Sequence, residues 1–127
     1  MKWGGRMKAS YETGVRGEEI ACEYLANKGM RLIEIRHREK TGEIDLIMED
    51  ADTLVFVEVK ARFSAPRAGA GVMAVTAEKQ RKIARAALLY LMKHGWMRRE
   101  VRFDVVEITQ AGILHIPNAF QPGFKVY

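Results

Sequence analysis

The sequence lacks most of what would staple a chain or anchor it. Its single cysteine, Cys22, excludes a disulfide framework and a cysteine-built zinc site, and points to a reducing compartment. No apolar run approaches the ~20 residues of a membrane span. The basic start, Met1-Lys2-Trp3-Gly4-Gly5-Arg6, has no apolar stretch behind it of the kind a signal peptide needs. Both absences lead to the expectation of a cytoplasmic protein with no membrane partner. Acid is short relative to base, 16 Asp and Glu against 21 Lys and Arg, which leaves a net charge of +5. Such an excess favours solubility, and it also suits a polyanionic partner, because Lys and Arg neutralise phosphates and release their counterions.

What is present is an ordinary globular balance, 48% hydrophobic and 29% charged over 127 residues, enough to bury a core without staples. The expectation is one domain over 1–127, with 1–13 a loose basic lead-in. A helical period runs from Gly14 to Gly29, with Ile20, Ala21, Tyr24 and Leu25 on one face. Strands are predicted at Leu32–Ile35, Glu43–Met48, Leu54–Ala61, Val101–Ile108 and Ile113–Ile116. The run from Leu54 to Val59 is largely apolar on both faces, as in a central strand. Thr76 can cap a helix that ends near His94, with Gly95 after it. Pro66, Gly69 and Gly71 mark Phe63–Val75 as a mobile loop. The tail from Pro117 reads as irregular, packed by Phe120, Phe124 and Tyr127. The order α-β-β-β-α-β-β predicts an α/β domain with one sheet covered by helices.

Several motifs fail on context. Gly69-Ala70-Gly71-Val72-Met73-Ala74 matches G-x-G-x-x-A, but no strand leads into it and no acid follows about 20 positions on. His37, His94 and His115 lack metal-ligand spacing and read as surface or edge residues. Ser10 and Ser64 have no partner that would make a nucleophile.

The chemistry concentrates in Gly42-Glu43-Ile44-Asp45-Leu46 and Val55-Phe56-Val57-Glu58-Val59-Lys60. Glu58 and Lys60 share a strand face. A hairpin turning at Ala51-Asp52 pairs Asp50 with Thr53 and Glu49 with Leu54, and sets Asp45 opposite Glu58. An odd loop would put the two carboxylates on opposite faces. Like charges opposite each other on an apolar strand pair need compensation. Lys60 supplies part of it, and Mg²⁺, or Mn²⁺ in its place, suits the rest. Two readings stand for Glu18, at the rim of the first helix's apolar face: an acid leaning toward the sheet, or one serving the helix dipole. Two also stand for Lys79, which lies on the axis of the buried face of the second helix: it reaches the acids, or it snorkels to solvent. Arg81, Lys82 and Arg85 fall on the other side, as a solvated basic face.

Asp45 followed by Glu58-Val59-Lys60 fits the D-x(n)-E-x-K signature of the PD-(D/E)XK nucleases. The wider sequence resembles the bacterial YraN family, which is endonuclease-like and akin in fold to Holliday junction resolvases. The stretches that carry the likeness are Gly14-x-x-Gly17-Glu18-x-x-Ala21, Gly42-Glu43-Ile44-Asp45-Leu46-Ile47, Phe56-Val57-Glu58-Val59-Lys60-x-Arg62, Lys79, Arg102-Phe103-Asp104-Val105-Val106 and Pro117-Asn118-Ala119-Phe120. The resemblance implies a restriction-endonuclease-like core, a mixed central β-sheet flanked by α-helices. It implies that Asp45 and Glu58 bind metal, with the Val59 carbonyl as a further ligand, that Lys60 serves the attacking water, and that Glu18 is the helix acid. Ile44 stands where the signature has proline. Glu43, Arg62 and Asp104 match the family pattern without a role.

The function expected from this is a Mg²⁺-dependent endonuclease cutting phosphodiester bonds of DNA, branched or otherwise structured DNA by analogy with resolvases. Arg62 and Arg67, beside the loop, and Lys79, Arg81, Lys82 and Arg85 would hold phosphates. The analogy extends to a homodimer. The competing reading is a nucleic-acid-binding module on the same scaffold without catalysis, which would need the basic face and not the acid pair.

Overall fold

The computed structural model describes residues 2–67 and 75–121, with side chains from residue 12 onward. Its elements are α1 (Lys2–Asn27), β1 (Arg31–Glu39), β2 (Gly42–Asp50), β3 (Thr53–Ala61), α2 (Ala77–His94), β4 (Val101–Thr109) and β5 (Gly112–Ile116). They form one five-stranded sheet in the order β1-β2-β3-β4-β5. Three strand pairs are antiparallel, and β3 pairs with β4 in parallel. A parallel pair needs a long crossover, and α2 supplies it. The fold is therefore α/β, a mixed sheet with two helices, compatible with a restriction-endonuclease-like core.

Each face of the sheet has its own core. Leu54 and Phe56 of β3 join Ile83, Ala86, Ala87 and Tyr90 of α2, together with Phe103 and Val105. Val55 and Val57 join Ala21 and Leu25 of α1, together with Leu46, Met48 and Val106. Successive strand side chains point to opposite faces, so a strand covered on both sides reads as one unbroken apolar run. That is why β3 lies at the centre.

The boundaries of α2 follow its caps. The Thr76 hydroxyl accepts the N–H of Lys79, and Gly95 closes the far end with φ +68°. The first helix departs from the expectation. It starts at Lys2 and takes in the stretch read as a loose lead-in. Trp3, Met7 and Tyr11 fall at i, i+4 and i+8, a helical spacing that the glycine pair Gly4-Gly5 and the surrounding basic residues obscure. Strand β1 runs four residues past Ile35, because an edge strand does not need an apolar face to keep pairing. In the loop expected at Phe63–Val75, residues 68–74 lie outside the described residues, as do Phe124 and Tyr127. Phe120 stacks on Phe103 at 5.2 Å between ring centroids. Among the described residues, no helix is long and apolar enough to cross a membrane.

Candidate functional site

The hairpin between β2 and β3 has the even loop. Asp50 pairs with Thr53, Glu49 with Leu54 and Leu46 with Val57. Ala51 makes the turn in the left-handed region, φ +52°. One step beyond Leu46 and Val57, the backbone ladder gives way to a side chain: Asp45 Oδ2 accepts the N–H of Val59 at 2.8 Å. This bond tethers Asp45 beside Glu58, close enough for the Glu58 charge to act on it. The Asp45 carboxyl is pushed up to about 7, first by burial and then by the Glu58 charge, while the Val59 N–H opposes the rise.

A cleft of about 350 Å³ opens over this pair, lined by Thr13, Gly14, Glu18, Asp45, Glu58, Val59, Lys60, Ala61, Arg62 and Lys79. It lies where both helices approach the C-terminal end of β3. Glu58 is only 5% exposed, and two ammonium groups flank it: Lys79 Nζ at 3.4 Å and Lys60 Nζ at 3.9 Å from Oε1. Lys79 thus reaches the acids from the first turn of α2 instead of snorkelling away.

Glu18 is buried and belongs to the same cleft. It comes so close because Gly17 packs on β3, where a Cβ would lie 2.6 Å from the Ala61 Cβ. Burial raises the Glu18 carboxyl above its ordinary range, and its bond from Arg36 Nε, at 2.5 Å, works against that. Arg36 was not singled out from the sequence. It adopts φ +51°, in the left-handed region that side chains rarely enter. The register places it opposite Asp45, at the one gap between the Ile35–Leu46 and His37–Ile44 pairs. No residue type announces such a position in the sequence.

The other expected residues divide. Arg62 lines the cleft. Arg67 is exposed and outside the lining. Arg81, Lys82 and Arg85 are exposed on α2, away from the cleft, with Lys82 paired to Glu78 at 3.6 Å. Glu43 is exposed and pairs with Arg38 at 3.5 Å.

Asp104, left without a role by the sequence, is fully buried elsewhere on the sheet. Its Oδ1 accepts from Arg102 Nε and the Asn118 N–H, both at 2.9 Å, and its Oδ2 from Arg102 Nη2 at 3.1 Å and His115 Nε2 at 2.7 Å. His115 is thus no surface residue: its side chain is 4% exposed. His37 also lies inward, between Glu34 and Glu39 with an edge against the Tyr90 ring. Strand position alone does not reveal which edge histidine a neighbouring element covers.

Among the described residues, no group of three or more His, Cys, Asp and Glu is arranged around a metal position. The donors at hand are two adjoining carboxylates facing a cleft with room for water. That donor set fits Mg²⁺, which takes one or two carboxylates and keeps several waters. It does not fit a dehydrated, all-protein cage.

The model of a family described as an uncharacterised protein family, UPF0102, matches residues 17–108. The chain is 41% identical to a UPF0102 protein of Persephonella marina, over 87% of this chain and 95% of the relative. It is 45% identical to one of Geobacter sulfurreducens, over 85% and 88%. With one of Stutzerimonas stutzeri it shares 41% identity over 91% and 99%.

Proposed function

On the premise that the chain belongs to the UPF0102 family, the YraN family of the sequence resemblance, we propose that it is a metal-dependent endonuclease hydrolysing phosphodiester bonds of DNA. One observation carries the reading. Two carboxylates are held beside each other, Glu58 buried and Asp45 partly so, in a cleft whose other charged residues are Lys60, Arg62, Lys79 and the Arg36-bonded Glu18. Holding them so destabilises the chain, and a divalent cation reverses the penalty.

Asp45 and Glu58 would hold Mg²⁺, with Mn²⁺ as a substitute and the Val59 carbonyl as a further donor. The ion supplies Lewis acidity and lowers the pKa of a bound water. The chain's own groups do the rest. The Val59 N–H fixes the direction of the Asp45 carboxylate. Lys60 places an ammonium beside Glu58, where it stabilises charge developing at the scissile phosphate. Lys79 and Arg62 orient the phosphodiester from the cleft wall. Glu18, aimed by Arg36, adds a third acid. Arg67, Arg81, Lys82 and Arg85 lie outside the cleft and serve flanking phosphates, which gives sequence-independent, salt-sensitive binding. One domain over 1–127, acting as a homodimer on branched DNA, completes the proposal.

The test is cleavage of single-stranded, duplex and four-way-junction DNA with Mg²⁺, Mn²⁺ or EDTA, beside folded Glu58→Ala and Lys60→Ala. The expected result is metal-dependent cutting by the native protein that both substitutions abolish. Cutting that survives both comes from a contaminant. Tight, salt-sensitive binding with no cutting assigns the chain to the binding-module class instead.

A further inference from the structure

Resting on the endonuclease reading, we propose that Gly14 is where the sugar–phosphate backbone of the bound strand passes against α1, its missing side chain leaving the strand room to reach the acids. A glycine inside a helix weakens it relative to alanine, so each one calls for a reason. Gly17 has a reason within the chain, the 2.6 Å approach of a Cβ to Ala61. Gly14 has none of that kind. It is helical, with no positive φ, and among the described residues an added Cβ would meet nothing within 4 Å. Among the described residues, neither backbone conformation nor packing accounts for it.

Its place in the cleft does. Gly14 stands one helical turn before Glu18, so the face of α1 that turns Glu18 toward Asp45 turns Gly14 there too. Lys60, Arg62 and Lys79 line the same cleft. The wall is cationic on the β3 and α2 side, and on the α1 side Glu18 is paired with Arg36 while Gly14 is bare, an arrangement that suits an anionic polymer passing at Gly14. Its phosphates face the cations, and its sugars slide over bare helix backbone. A side chain at position 14 would project into that space, where its Cβ would meet no described atom within 4 Å.

The experiment compares Gly14→Ala and Gly14→Leu with the native protein, and uses Ala26→Leu, at an exposed position of α1, as the control. The readouts are Tm, Mn²⁺ affinity by calorimetry, binding of a labelled oligonucleotide in EDTA, and KM with kcat for cleavage. Gly14→Ala is expected to raise Tm by roughly 3–5 °C. Gly14→Leu is expected to weaken oligonucleotide binding and raise KM by roughly tenfold or more, with Mn²⁺ affinity and kcat unchanged, while Ala26→Leu binds normally. Native binding and KM in Gly14→Leu would overturn the proposal. So would a lower Tm in Gly14→Ala, which would show that the chain itself needs the glycine. If the native protein binds no Mn²⁺ and no DNA, the endonuclease reading falls and takes this inference with it. If it binds and cuts and Gly14→Leu does the same, this inference falls alone.

Discussion

Asp104 on β4 and Asp45 on β2 lie on the two strands that flank β3, and the chain surrounds them differently. Asp104 receives four hydrogen bonds, two on each oxygen, from Arg102, His115 and the Asn118 backbone. Four is the number a carboxylate can accept. The network extends outward: Lys28 Nζ lies 3.0 Å from His115 Nδ1, and Arg102 Nη1 lies 3.2 Å from Asp50 Oδ2. A lysine can only donate and an ionised carboxylate can only accept, so these two contacts fit the His115 tautomer with its proton on Nε2. Asp45 receives one backbone N–H and stands beside another acid, with the Lys79 charge as a weaker counterweight. The difference separates two uses of buried charge. A carboxylate with every lone pair filled ties strands and tail together. One kept short of partners beside its own kind holds free energy that a ligand can release.

The largest effect should come from breaking the satisfied member. Asp104→Ala leaves His115 without its anion inside the protein and Arg102 with only the half-exposed Asp50. It should lower stability by about 3–5 kcal/mol in urea denaturation, with or without Mg²⁺. A loss below about 1 kcal/mol would mean that the two carboxylates differ less than their bonding suggests.

Asp45→Asn should act in the opposite sense on the metal-free protein, because it removes one of two adjoining charges. At pH 8 in EDTA it should be as stable as the native protein or more so. Destabilisation there would show that the Asp45 charge is already well compensated. The pH dependence sharpens this. With a folded value of about 7 against an unfolded value near 3.8, the native state holds the proton more tightly. The contribution of Asp45 to stability is therefore fully present below about pH 4 and is lost as pH rises through about 7. The metal-free protein should lose stability across that window, and Asp45→Asn should lose less. Saturating Mg²⁺ should restore stability at pH 8, by ~2.7 kcal/mol at a hundredfold excess over Kd. A melt that ignores Mg²⁺ at every pH would remove the metal from the account.

The smallest effect belongs to the exposed cations. Replacing Arg81, Lys82 and Arg85 together with alanine should leave Tm nearly unchanged. The salt slope of DNA binding should fall by up to roughly 0.9 for each phosphate that is no longer neutralised. An unchanged slope would return them to a plain solvated face.

Much of the fold was legible because its signals are local. Thr76 and Gly95 bound α2 through their own backbone preferences, and the apolar run from Leu54 to Val59 placed β3 at the centre. The placing of Asp45 beside Glu58 was legible too, since side chains alternate and an even loop leaves one register. Less was legible for the helices. Whether Glu18 and Lys79 enter the cleft depends on how far each helix is rotated and how closely it sits on the sheet. For α1 the contact of Gly17 with Ala61 decides this, across 44 positions of sequence. The extent of α1 before Gly14 was missed, because Gly4-Gly5 and the basic residues around them obscured the i, i+4 spacing of Trp3, Met7 and Tyr11.

By itself, then, the sequence determined the elements, the strand alternation and the acid pair, all of which follow from neighbours in the chain and from one short loop. Tertiary structure alone decided which charges compensate which. It gave Asp104 its four donors, from three segments of β4, β5 and the tail, and it turned Arg36 out of β-geometry toward Glu18. A carboxylate's state depends on the donors and charges within a few ångströms of it. Those come from segments that only the closed sheet and its two packed helices bring together.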